Sequence, residues 1–179
     1  MTKVHSLWSI QQNPSASPRG WVTGNTTIGN NVWAQTDASG DSAWISKAAR
    51  GRRKRACYPT RVFDFPFSAA QEPSEYAEFS VTQLFYTVNT MHDLAYVYGF
   101  DEAAGNFQDI NFSGRGVGGD YVVAFAQDGS SSMDNAVFIA PPDGQNGIMK
   151  MYLWSAMSPQ RDGSLEQGYR CLRVYARDI

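Results

Sequence analysis

The stretch "SVTQLFYTVNTMHDLAYVYG", Ser80–Gly99, limits what this chain can fold into more than any other. Val81, Leu84, Phe85, Val88, Met91, His92 and Ala95 recur at helical spacing on one face. Ser80 followed by Gln83 fits a capping box, and Gly99 fits a C-terminal stop, so a helix is expected between them. An amphipathic helix of this length cannot bury its stripe alone and needs a second layer. "DYVVAFAQDG", "DNAVFIA" and "GIMKMYLWSA" downstream read as strands separated by turns containing glycine and proline. "VFDFPF" upstream reads as a short strand near an edge, because Pro66 cannot donate to a ladder. The expected class is α+β: one long helix packed on a twisted, mostly antiparallel sheet.

A length of 179 residues suits one domain or part of a larger one. Hydrophobic residues make up 42% and charged residues 18%, which allows a sizeable core. Acidic residues exceed basic ones by only 17 to 15, so charge gives no argument for nucleic acid or a membrane surface. The basic run "KAARGRRKR", Lys47–Arg55, has no aromatic or second basic stripe beside it and reads as a solvated loop. No apolar run has the length of a transmembrane helix, and the first residues lack the continuous apolar stretch of a signal peptide. On that reading alone the product stays in the cytosol. Cys57 and Cys171, the only cysteines, are read as unpaired.

Residues 11–46 are rich in turn formers, with Trp21, Trp33 and Trp44 scattered through them. These tryptophans could line a glycan site, but packing over a small β-layer is the preferred reading. His92, inside the apolar stripe, reads as a hydrogen-bonded core histidine, since no second ligand lies one turn away.

Two apparent motifs fail on physics. "GRGVGG", Gly114–Gly119, has dinucleotide-fingerprint spacing, but Asp120 and a β-branched strand follow where a helix N-terminus would have to hold phosphate. "DGSSSMDN", Asp128–Asn135, begins like a calcium loop and lacks the sixth-position glycine and twelfth-position acid. Calcium is left open, with no motif to support it. Asn25-Thr26-Thr27 and Asn111-Phe112-Ser113 are glycosylation sequons, meaningful only in a secreted chain.

The segments Thr82–Gln108, Gly116–Gly129, "APPDGQNGIMKMYLW" (Ala140–Trp154) and "RDGSLEQG" (Arg161–Gly168) together resemble the fungalysin family of secreted fungal zinc metalloendopeptidases. "NPSASPRGW" and "GNNVWAQTD" match more weakly, and Lys47–Arg61 departs from the family. The resemblance implies a thermolysin-like N-terminal catalytic subdomain, an extracellular monomer, and protein or peptide substrates. It implies no nucleic-acid or membrane partner. It divides the chain into a β-rich lead segment (1–70), a partial catalytic domain (71–168) and an aberrant tail (169–179).

The family continues with a His-Glu-x-x-His segment whose histidines bind zinc. Here Gly168 is followed by Tyr169-Arg170-Cys171-Leu172-Arg173 instead. Codons for Arg173–Ile179, read one nucleotide later, permit Glu-Tyr-Thr-His-Gly-Ile, so the tail is read as out-of-frame translation. No leucine codon at Leu172 yields the first histidine. The chain is accordingly expected to bind no zinc, to supply no catalytic residue and to be inactive as it stands. In thermolysin-like proteases an Asn-Ala edge strand pairs with bound peptide, and the resemblance carries that role to Asn135, Ala136 and Phe138, an ordinary edge strand being the plain alternative. The competing functional reading is a non-catalytic peptide- or glycan-binding module, or the product of a decayed gene.

Overall fold

The computed structural model describes residues 12–24, 26–41, 63, 65–130, 132–156 and 158–162. His5, the basic run, both cysteines, Trp44, Asn25 and the tail from Tyr169 lie outside them. Strand β1 (Val32–Thr36) comes first, and a 3-10 turn at Pro73–Tyr76 leads into helix α1 (Ala77–Val97). Strands β2 (Val122–Asp128), β3 (Ala136–Ile139), β4 (Ile148–Trp154) and β5 (Arg161–Asp162) follow. The sheet order is β1-β2-β4-β3, with β5 also on β4. This is the expected α+β arrangement.

Strand direction differs from expectation. β1–β2 and β2–β4 are parallel, whereas β3–β4 and β4–β5 are antiparallel, so the sheet is mixed. The connection from β1 to β2 contains α1 and is long enough for the crossover a parallel return requires. β2 and β4 are separated in sequence by β3, which takes the outer position. "VVAFA" in β2 is a continuous buried run, the pattern of a strand covered on both faces.

α1 lays Val81, Leu84, Phe85, Val88, Met91 and Ala95 against Val32, Ala34, Val122, Ala124, Ala126, Met149 and Met151. Alanines at Ala34, Ala124 and Ala126 leave room for the large helix side chains. Trp21 is 1% exposed and closes the side of this core, so it packs and cannot line an open glycan site.

The helix begins before Ser80. Pro73 opens the preceding turn with its preset φ, and the Glu75 carboxylate accepts the Glu72 N–H at 2.8 Å. Ser80 therefore lies inside α1, and its hydroxyl donates to the Asp162 carboxylate, with the Tyr76 carbonyl a more distant acceptor at 3.3 Å. At the other end Gly99 takes φ +104°, and the Phe100 N–H reaches back to the Ala95 carbonyl at 3.0 Å.

Of "VFDFPF", Val62 and Asp64 lie outside the described residues, and Phe63 and residues 65–67 form no strand. Pro66 lacks a ladder donor, and the aromatics cover the core edge instead, Phe67 stacking on Phe79 with centroids 4.7 Å apart. At Gly29 a Cβ would lie 1.7 Å from the Trp21 carbonyl oxygen, so only glycine fits where the lead segment folds back.

Leu84→Ala is expected to cost about 2–5 kcal/mol in urea denaturation. Leu94, 44% exposed on the same helix, should tolerate alanine within about 0.5 kcal/mol.

Candidate functional site

β3 has β4 on one side and, among the described residues, no strand on the other. Its register pairs Ala136 with Met151, Val137 with Lys150, Phe138 with Met149 and Ile139 with Ile148. The Tyr152 N–H donates to the Asn135 carbonyl at 3.3 Å. Main-chain groups in an antiparallel pair alternate in direction, so Val137 and Ile139 point their N–H and C=O at β4. Ala136 and Phe138 point theirs away from the sheet.

Side chains follow the other alternation. Ala136 and Phe138 pack toward the core, Phe138 edge-on to Phe107 with centroids 5.5 Å apart. Phe138 thus faces the protein with its ring and the open edge with its backbone. Asn135 is exposed, and its Oδ1 accepts the Ala136 N–H at 2.9 Å. The three expected residues lie together at one edge, and the main chain of two of them is directed away from β4.

The carboxylates of the rejected calcium motif have separate partners. Asp128 accepts from the Ser130 N–H and hydroxyl and lies 3.4 Å from the Lys150 ammonium. Asp134 accepts from Ser155. The glycines of "GRGVGG" form a loop before β2, with Gly114, Gly116 and Gly119 at positive φ. A Cβ on Gly116 would meet the Glu102 carbonyl at 1.9 Å, and the Glu102 carboxylate accepts the N–H groups of Phe112 and Ser113. Asp120 bridges this loop to the turn before β4, accepting the Gln108 N–H at 2.8 Å and the Gly144 N–H at 3.0 Å. Burial pushes the Asp120 carboxyl up, the two N–H donors offset part of this, and the Asp143 carboxylate adds to the rise.

Behind α1 lies a buried polar network. Asp93 accepts from the Asn13 N–H (3.0 Å), the Ser17 hydroxyl (2.6 Å) and Trp21 Nε1 (2.9 Å), and pairs with His92 Nδ1 (3.1 Å). His92 Nε2 meets the Asn106 amide at 3.3 Å, which assigns the ring proton to Nδ1. Both ring nitrogens are therefore engaged, as the core reading of His92 requires. Burial alone would raise the Asp93 carboxyl, but the hydrogen bonds from His92, Ser17, Asn13 and Trp21 outweigh it and hold it below the ordinary value. Sequence reasoning missed Asp93. The available signal was Asn89 and Asp93 at i, i+4, a polar line in a helix where neither residue is a favoured former.

With this geometry in view, the chain matches the fungalysin metallopeptidase (M36) family over residues 2–170 and belongs to that family. It is 46% identical over 160 residues to "Extracellular metalloproteinase MEP" of Pyricularia oryzae, covering 86% of this chain and 24% of that protein. It is 45% identical over 173 residues to "Extracellular metalloproteinase 3" of Arthroderma gypseum, covering 93% of this chain and 25% of the relative. With "Extracellular metalloproteinase 4" of Trichophyton soudanense it shares 42% over 170 residues, 93% of this chain and 41% of the relative. The chain spans about a quarter of the length of the first two relatives.

Asp93→Ala would leave three buried donors and the half-buried Asn13 N–H without their acceptor and should destabilise by about 3–5 kcal/mol. Its folded-state carboxyl titrates below the unfolded one. Its contribution is therefore present above the unfolded value and lost as pH falls through the folded value. Acid unfolding followed by circular dichroism should show a shallower pH dependence in Asp93→Asn than in wild type.

Proposed function

We propose that this chain is part of an extracellular zinc metalloendopeptidase and that β3 gives peptide substrates an edge to lie along as an added strand. Family membership supports the protease class, and the relatives' printed names support the extracellular setting. The observation that carries the edge assignment is the outward direction of the Ala136 and Phe138 main chain on a strand that, among the described residues, pairs on one side. At rest the Asn135 carboxamide occupies the Ala136 N–H, so a bound peptide has to displace it.

The described residues do not fit a catalytic metal. They contain no group of three His, Cys, Asp or Glu side chains placed around one point, and His92 has both nitrogens engaged. In this family zinc polarises the attacking water and the scissile carbonyl. The sequence has two histidines, His5 and His92, and no His-Glu-x-x-His spacing. We infer that this chain taken alone binds peptides without cleaving them. An inactive binding module has the same edge, so the two readings share the test of binding and part on activity.

Ala136→Pro deletes an N–H that points away from β4, a substitution an edge strand accepts. It should weaken binding of an extended apolar octapeptide at least tenfold by titration calorimetry while the melting temperature holds. Wild-type affinity in that variant would remove the edge from the substrate site.

A further inference from the structure

β3 is four residues long and, among the described residues, pairs on one side only. A slip of one residue would turn the groups of Val137 and Ile139 outward and bury those of Ala136 and Phe138 against β4. The connection to β4 does little to prevent this. It runs through residues 140–147, far longer than the tight turns that fix hairpin register.

The other end of β3 is pinned differently. Asp134 stands at φ +58°, in the left-handed region that aspartate and asparagine tolerate better than most residues. Its N–H donates to the Leu153 carbonyl at 2.9 Å. Its carboxylate accepts the Ser155 N–H at 2.7 Å and the Ser155 hydroxyl at 2.5 Å. Three hydrogen bonds thus tie one residue before β3 to the end of β4, in a geometry no shifted register could keep. The carboxylate is fully exposed, so this pairing contributes alignment and adds little to the core.

We propose that Asp134 and Ser155 are positioning residues that set the register of β3 and so decide which main-chain groups the edge offers to a peptide. The inference rests on the substrate role given to β3 above. Ser155's hydroxyl and N–H hold the Asp134 carboxyl below its ordinary range.

Amide hydrogen exchange on the full ¹⁵N-labelled chain tests it. In wild type, Val137 and Ile139, whose N–H groups face β4, should exchange at least tenfold more slowly than Ala136, whose N–H is held by the exposed Asn135 carboxamide. Asp134→Ala, Asp134→Gly and Ser155→Ala should each erase that alternation while α1 and β2 keep their protection. Asp134→Asn, which retains an acceptor oxygen, should restore most of it. Affinity for the octapeptide should fall at least fivefold wherever the alternation is lost. Wild-type alternation in Asp134→Ala would overturn the proposal. So would an Asp134→Gly variant that behaves as wild type, since backbone conformation would then set the register without the carboxylate. Equal loss of protection in α1 and β2 would also overturn it, by showing a general loss of stability. If wild type binds no peptide but the variants lose alternation as expected, the register role stands and the substrate reading of β3 falls.

Discussion

The buried Asp93 carboxylate is the constraint around which the rest of this structure is arranged. A charge 6% exposed is tolerable only when its oxygens are paired, and the partners come from two separate parts of the chain. Asn13, Ser17 and Trp21 belong to the lead segment, His92 to α1 itself. The network continues from Ser17 through Asn31 to Asn89, and from His92 through Asn106 to Gln108. One residue on the helix thus fixes where the segment before β1 enters and where the loop before β2 leaves. β1 and β2 both inherit their position from it.

A second polar cluster does the same for the start of the helix. A bulge in β2 places Gln127 at φ +52°, turning its amide toward the Pro73 carbonyl at 2.8 Å, Ser80 Oγ at 2.9 Å and the Asp162 carboxylate at 3.1 Å. β5 is only two residues long, and Asp162 reaches α1 because β4 holds it there. With α1 tied at both ends, the sheet face beneath it is covered, and the β4–β3 side is left as its border. The edge proposed to receive substrate stands on β4, which β2 supports from the other side.

Much of this was legible in the sequence. The α1 stripe, the three downstream strands and the stop at Gly99 follow from local periodicity, which acts within a few residues. The helix start was misplaced because Ser80 and Gln83 satisfy a capping pattern that the helix does not use. Pro73 and Glu75 supply an earlier start, and Ser80 is recruited by Asp162, which lies far along the chain. Strand direction was misread for a related reason. Short connections suggest hairpins, yet neighbours in this sheet are not neighbours in sequence. At the site, resemblance singled out Asn135, Ala136 and Phe138, but it could not show that Phe138 turns its ring inward.

By itself, then, the sequence determined the class of fold, the helix face that would be buried, the family and the segment that forms the edge. These depend on residue type and spacing along one element. Tertiary structure alone decided the parallel pairing, the partners of Asp93 and Asp162, and the direction in which each β3 amide points. Those depend on hydrogen bonds between residues tens of positions apart, whose geometry exists only once the core has brought them together.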